Sequence, residues 1–233
     1  MGRFWNEEIY KNELARRCKI FGFQNVLTEE PIKAIYKDFC KTYKFDILIN
    51  QSVIYELKTA NTLTGEHQKQ LLNYLLLLGL QRGKLVNMRG RSVESRFVST
   101  SLTPADRYDF VVEDHCWKNL DEDSAWLKQL LISLLNEWGA FLELRLFYST
   151  IMHFHKNKEN VLQKIKVTNN SYELGKQKIY ALNREVAFQL SANTKYNQSY
   201  ERHLQKFIRF TPFKAIQWIN FNHRQIEFTT ILK

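Results

Sequence analysis

The sequence predicts a protein of the α/β class, because stretches with helical spacing alternate with short β-rich runs along the chain. Apolar residues make up 44% of the 233 residues, and there are only 8 Gly and 3 Pro, so the chain is neither disordered nor of low complexity. The longest apolar run, residues 71–80, is too short to span a membrane. An acidic N-terminal segment and three scattered cysteines predict a reduced, cytoplasmic location.

Charge divides the chain into three parts. Residues 1–100 carry 16 basic and 10 acidic side chains, residues 101–150 carry 4 and 9, and residues 151–233 carry 14 and 5. The acidic middle predicts a connector, which gives domains at 1–95 and 121–233 joined by residues 96–120. Two basic bodies and a net charge of +10 indicate an anionic partner such as nucleic acid. A solvated basic surface would give the same composition.

The first half predicts the order helix, three strands, helix and strand. Apolar residues at helical spacing predict a helix over residues 5–20, which Gly22 ends. A second helix begins after Thr64 as N-cap and covers residues 65–78. The four strand-like runs are residues 31–37, 43–49, 53–58 and 84–88.

The second half opens with the clearest amphipathic helix, over residues 122–138, which Gly139 ends. Its remaining elements are strands at 161–167, 177–182 and 185–190, a helix at 197–209 and a strand at 215–221.

Asp46, Glu56 and Lys58 form the most informative pattern in the chain. A three-residue hairpin loop at residues 50–52 places Asp46 opposite Glu56. Lys58 shares their face, because side chains alternate along a strand. Two carboxylates about 5 Å apart repel each other by roughly 3 kcal/mol at an effective dielectric constant near 20. The pair therefore needs compensating positive charge, from Lys58 and from a divalent cation.

Oxygen ligands of this kind suit Mg²⁺ or Mn²⁺, which can support hydrolysis of a phosphodiester. Lys58 would then position the attacking water or stabilise developing negative charge. The alternative is an ordinary hairpin with an exposed ionic face, where a pair between Asp46 and Lys58 contributes about 0–1 kcal/mol. The spacing of these charges alone does not separate the two interpretations.

The predicted helix over residues 65–78 carries a polar stripe. His67, Gln70 and Tyr74 lie at positions i, i+3 and i+7, on one helical face. A glutamine can both donate and accept a hydrogen bond, so Gln70 suits contact with a phosphate or with a water molecule.

Residues 4–88 resemble the GxxExxY family of the PD-(D/E)XK nuclease superfamily. The matching segments are Glu7–Tyr10, Phe45–Leu48, Val53–Lys58, Leu63–Leu75 and the pieces around Gly79 and Val86, while Phe4 replaces the family glycine. The resemblance implies an αβββαβ core. It also implies that Asp46, Glu56 and Glu7 bind metal, that Lys58 and Gln70 act with them in catalysis, and that substrate contacts come from Gln70, Tyr74, His67 and Tyr10.

The predicted function is Mg²⁺- or Mn²⁺-dependent cleavage of nucleic acid, with DNA favoured over RNA. No glycine-rich nucleotide-binding motif is present, so no nucleotide cofactor is expected. The alternative is a non-catalytic nucleic-acid-binding or assembly protein that retains the fold. The sequence does not distinguish single-stranded from double-stranded substrates, and it gives neither the sequence specificity nor the oligomeric state.

The second half resembles a degenerate copy of the first, which would make the fold a pseudo-dimer. Residues 51–88 overlay residues 184–221 without gaps. Gln189 and Ser191 then replace Glu56 and Lys58, so this copy is expected to be inactive. It would instead extend a basic surface for nucleic acid, formed by Lys176, Lys178, Lys195, Arg202, Lys206 and Arg209.

Overall fold

The computed structural model describes residue 2 and residues 4–170, 172–194 and 198–233. The chain forms two compact units, residues 1–106 and 107–233. Lys195, one of the predicted basic surface residues, lies outside the described residues. No helix in the described ranges is long and apolar enough to cross a membrane.

The described residues of the first unit form two α-helices and seven strands. In chain order they are α1 (Glu7–Ile20), β1 (Val26–Thr28), β2 (Pro31–Tyr36), β3 (Phe39–Lys44), β4 (Ile47–Ile49), β5 (Val53–Lys58), α2 (Gly65–Leu78), β6 (Arg82–Asn87) and β7 (Glu94–Ser99).

Five of these strands form one mixed sheet in the order β1-β4-β5-β6-β7, and β2 and β3 form a separate hairpin. Only β5 and β6 run parallel, and α2 connects them. The predicted single strand over residues 43–49 is wrong, because it breaks at Phe45 and Asp46 between β3 and β4. The backbone N–H of Glu29 reaches the carbonyl oxygens of both residues, at 3.2 and 3.3 Å, and so interrupts the strand ladder.

Helices cover both faces of this sheet. Leu71 and Leu75 of α2 pack with Leu48 and Ile54 on one face, whereas α1 packs against Ile47, Ile49 and Leu57 on the other. The alternating side chains of β4 and β5 therefore serve two separate cores. The predicted bounds of α2 are confirmed, from its Thr64 N-cap to Gly79, whose φ of 67° ends the helix in the left-handed region.

The second unit, within the ranges that the structure describes, contains three α-helices and six strands. They are β8 (Val111–Cys116), α3 (Glu122–Trp138), α4 (Leu144–Phe154), β9 (Leu162–Asn169), β10 (Tyr172–Tyr180), β11 (Val186–Ser191), α5 (Gln198–Arg209), β12 (Ala215–Asn222) and β13 (Gln225–Leu232). Four strands form a sheet in the order β11-β12-β13-β8, and β9 and β10 form a hairpin.

Residues 96–120, predicted as a plain connector, hold most of β7 and all of β8. Both strands belong to a sheet, since β7 pairs with β6 and β8 pairs with β13. Strand β8 was not predicted because acidic residues surround it, although the valines at 111 and 112 favour a strand. Helix α4 and strand β13 were not predicted.

Strand pairing in the two units follows one register. Val53 pairs with Arg82 in the parallel ladder of β5 and β6. The residues that the sequence overlay matches to these two, Val186 and Ala215, pair in the parallel ladder of β11 and β12. The antiparallel ladders that follow keep the same offset, with Arg82 opposite Ser99 and Ala215 opposite Leu232. Gln189 and Ser191 on β11 therefore occupy the strand positions of Glu56 and Lys58 on β5.

Candidate active site

The hairpin of β4 and β5 brings the predicted charged groups together. Asn50 and Gln51 adopt φ angles of 51° and 52° in the turn, and Ile49 pairs with Val53 as predicted. Asp46 lies in the bend before β4, and its Oδ2 accepts a 2.7 Å hydrogen bond from the backbone N–H of Leu57. The aspartate is thus fixed beside β5, next to Glu56, although it is not itself in a strand.

Glu56 is almost completely enclosed, with 2% of its surface exposed. Its Oε1 accepts a 2.7 Å hydrogen bond from Nζ of Lys58, whereas its Oε2 is buried and has no hydrogen-bond partner among the described residues. Burial, reinforced by the charge of Asp46, raises the pKa of Glu56 to about 7. The carboxylates of Asp46 and Glu56 therefore share the positive charge of Lys58 in this site.

The other two charges respond to the same environment. Burial raises the pKa of Asp46 even though the Leu57 N–H and Lys58 oppose the shift. Burial on its own would lower the pKa of Lys58, but the nearby carboxylates of Glu56, Glu7 and Asp46 outweigh it and raise that pKa. Lys58 therefore remains a cation at neutral pH.

Glu7 approaches Lys58, the cation of the site. Its Oε1 lies 3.9 Å from Nζ of Lys58, and its side chain is 37% exposed. It begins α1 immediately after Asn6, whose side chain accepts a hydrogen bond from the N–H of Ile9 and caps the helix. The metal-binding role of Glu7 stays a prediction.

Helix α2 contributes a partly buried polar pair. Nε2 of Gln70 donates a 2.7 Å hydrogen bond to the hydroxyl oxygen of Tyr74. Burial raises the pKa of Tyr74, and the charges of Glu56, Lys58 and Asp46 all act on it, so this phenol faces the charged site.

His67 and Tyr10 have other contacts in the structure. Nδ1 of His67 accepts a 3.2 Å hydrogen bond from the backbone N–H of Thr64, which forms part of the N-terminal cap of α2. The Tyr10 side chain is buried in the α1 core, and its hydroxyl donates to the carbonyl oxygen of Gly2 at 2.6 Å. Substrate contact by these two residues stays a prediction.

Two supporting groups were missed in the sequence. Lys11 is buried one helical turn after Glu7, and its Nζ lies 2.5 Å from Oε1 of Glu29, whose N–H holds the Asp46 bend. Asn87, at the end of β6, holds the chain just after Lys58 through two hydrogen bonds. Its side chain accepts from the N–H of Ala60 at 3.2 Å and donates to the carbonyl oxygen of Ala60 at 2.9 Å. For Lys11, the available sequence signal was a charged residue at a helix position that faces the core.

The donor set fits a hard divalent cation. No group of three or more His, Cys, Asp and Glu side chains clusters as a metal site within the described ranges. Mg²⁺, however, needs only one or two carboxylates plus substrate phosphate and water. The buried, unpartnered Oε2 of Glu56 beside Asp46 supplies what such an ion requires.

The strand positions of the second unit that match Glu56 and Lys58 in register carry neutral side chains. The N–H of Leu190 donates at 2.7 Å to the phenol of Tyr148 rather than to a carboxylate. Oγ of Ser191 donates to Oδ1 of Asn220 at 2.8 Å, and the indole N–H of Trp218 donates to that Oγ at 2.8 Å. The nearby carboxylate is that of Glu227 on β13, whose Oε2 accepts a 2.9 Å hydrogen bond from Nδ2 of Asn220.

The comparison with protein-family models finds a match in the part of the chain that forms the first unit. Residues 1–99 match the family model of the PD-(D/E)XK nuclease superfamily, which supports a metal-dependent nuclease domain in this part of the chain. A solved structure titled "Crystal structure of SSO0001" is 24% identical, covers 42% of this chain and 52% of its own, and gives a TM-score of 0.33. The chain thus spans about half the length of that protein. No curated protein matches the chain.

Proposed function

We propose that the protein is a Mg²⁺- or Mn²⁺-dependent nuclease that cleaves DNA at the site formed by Asp46, Glu56 and Lys58. The observation that carries this proposal is the unpartnered Oε2 of Glu56, buried beside a second carboxylate and opposite a lysine. Two carboxylates that share one lysine leave excess negative charge in a low-dielectric site, which is costly to stability. A cation that binds there during function explains why this arrangement is kept.

Each residue has a role that follows from its position. Asp46 and Glu56 hold the metal ion, which when bound acidifies water and neutralises charge on the phosphodiester. Lys58, hydrogen-bonded to Glu56, orients the attacking water and donates to the oxygen that gains negative charge. Glu7 keeps Lys58 charged, and Gln70, fixed by Tyr74, contacts the substrate.

Cleavage of plasmid and oligonucleotide substrates in Mg²⁺ and in Mn²⁺ tests the proposal, with Lys58→Ala in parallel. We expect a loss of activity of at least about 100-fold in this variant, since it removes an electrostatic catalyst. Lys84→Ala on the neighbouring strand is the matched control, because Lys84 lies over the ring of Phe97 and pairs with Tyr55 rather than with a residue of the site. Metal-independent binding without cleavage by the wild type would instead favour the non-catalytic binding protein.

We propose further that the second unit is an inactive copy of the first. This proposal is supported by a single offset in numbering that relates three strand pairings of the first unit to pairings of the second. The first two are β5 with β6 and β6 with β7, which match β11 with β12 and β12 with β13. The third is Leu48 with Ile54, which matches a bridge between Ala181 and Ala187. A detail of side-chain bonding recurs as well. Asn220 accepts from the N–H of Asn193 and donates to its carbonyl oxygen, as Asn87 does with Ala60.

A further inference from the structure

Four lysines of the second unit occupy one face of the hairpin formed by β9 and β10. Lys176 lies directly opposite Lys166, and Lys178 lies directly opposite Lys164. Residues two apart on a strand point to the same side, so the four ammonium groups form a block about 7 Å long and 5 Å wide at its base. All four side chains belong to exposed residues.

This arrangement works against the stability of the hairpin. Like charges directly opposite each other on paired strands are destabilising. Among the described residues, only Lys166 of the four forms a salt bridge, with Glu173 at 2.8 Å. The opposite face of the hairpin packs in the core, because Ile165 and Ile179 are buried against α5. The lysine face does not contribute to this core.

The first unit provides an internal comparison. Its hairpin of β2 and β3 has the same turn register at the same offset in numbering, with Tyr36 opposite Phe39 and Asn169 opposite Tyr172. Pro31 faces Lys44 there and Lys33 faces Thr42, so no two lysines are opposed. A lysine on an exposed edge discourages edge-to-edge association, but that protection does not require opposed pairs. Each hairpin carries four lysines and one acidic residue. The second therefore differs in the direct opposition of its lysines, which solubility does not explain, and not in its total charge.

We propose that this lysine block binds the phosphate backbone of the nucleic acid that the first unit cleaves. The inference rests on the proposed nuclease function for the identity of the ligand. A nucleic acid strand presents a regular row of negative charges, and each lysine that meets a phosphate releases condensed counterions. Contacts of this kind add affinity without sequence readout. Tyr172 and Leu174, exposed near the tip of the same hairpin, flank the block.

The test measures binding to a DNA duplex and to the matching single strand in EDTA, over a series of salt concentrations, so that no cleavage occurs. One variant replaces Lys164, Lys166, Lys176 and Lys178 by Gln. The control replaces four exposed lysines elsewhere in the same unit by Gln, namely Lys118, Lys158, Lys214 and Lys233. Both variants lose the same formal charge, and each loses one ion pair, Lys166 with Glu173 in the hairpin variant and Lys214 with Glu185 in the control.

We expect the hairpin variant to bind about tenfold or more weakly at low salt, and its plot of log K against log salt to be less steep by about 3. The control should change binding by less than about twofold. The melting temperature of the hairpin variant should equal or exceed that of the wild type, because repulsion is removed. Equal losses in the two variants, or no loss in the hairpin variant, would overturn the proposal. Tighter binding of the wild type to anionic lipid vesicles through the same lysines would do so too.

Cleavage separates this inference from the proposed function. A wild-type protein that binds through the hairpin but does not cleave in Mg²⁺ or Mn²⁺ contradicts the nuclease assignment and leaves the binding surface in place. A wild-type protein that cleaves while the hairpin variant binds normally contradicts the binding surface alone.

Discussion

At the scale of single residues, the site is organised by how strongly burial acts on each charge. Glu56 sits in the low-dielectric interior with one oxygen bonded to Lys58 and the other without a partner among the described residues. Its pKa of about 7 means that near neutral pH the side chain changes between a neutral acid and a metal-binding carboxylate. Metal binding and proton release at Glu56 are therefore coupled.

Glu56→Gln tests this coupling through stability. The folded-state pKa of Glu56 lies above its value of 4.5 in the unfolded chain, so the metal-free wild type loses stability as pH rises from about 4.5 through about 7. We expect the free energy of unfolding to fall over this range by on the order of 1–3 kcal/mol more in the wild type than in Glu56→Gln. Denaturant titration in EDTA at a series of pH values measures the difference.

The same variant should no longer bind metal. Mn²⁺ is expected to raise the melting temperature of the wild type increasingly as pH passes 7, and to leave that of Glu56→Gln unchanged. Asp46→Asn serves as the companion variant, since it removes the other carboxylate while keeping an oxygen that can accept from the Leu57 N–H. Equal metal-induced stabilisation of all three proteins would show that the ion binds elsewhere.

At the scale of elements, two asparagines at the ends of parallel strands fix the chain that leaves the neighbouring strand. Asn87 does so at Ala60, just beyond Lys58, and Asn220 does so at Asn193, just beyond Ser191. Both asparagine side chains are buried. This pair of hydrogen bonds therefore orders the end of the strand whether or not that strand carries catalytic groups.

We expect Asn87→Ala and Asn220→Ala each to lower the free energy of unfolding by about 1–3 kcal/mol, because a backbone donor and a backbone acceptor lose their partners. Guanidinium unfolding followed by circular dichroism measures the loss. Asn61→Ala, at an exposed position near Ala60, is the control and should be neutral. A neutral Asn87→Ala alongside a destabilising Asn220→Ala would contradict a shared role.

Elements with a strong local signal were predictable from the sequence, and those defined by distant partners were not. Helix α2 has a capping threonine and a terminal glycine, and both bounds were correct. The break at Asp46 depends on the N–H of Glu29, and β8 depends on pairing with β13, which lies far from it in the sequence. The predicted proximity of Asp46 and Glu56 survived the break, because the register of β4 with β5 was right.

At the scale of the whole molecule, the chain carries two units with the same strand register but different charge at matched positions. The first has Glu56 and Lys58 on β5, with Asp46 beside them. The second has Gln189 and Ser191 at the matched positions of β11, with the phenol of Tyr148 in contact with the Leu190 N–H. A divalent cation prefers negative ligands, so we expect it to bind at the first unit, where two carboxylates lie close together.

Hydrogen exchange of the full chain, with and without Mn²⁺, tests this asymmetry. A ligand that binds only the folded first unit raises the free energy of opening there. We expect slower exchange at the backbone amides of β4 and β5 once Mn²⁺ is added, and no change along β11. The Glu56→Gln protein should show no metal-induced protection in either strand. Protection that appears along β11 in that variant would mean that a cation binds the second unit, and would remove the basis for proposing that this unit is an inactive copy.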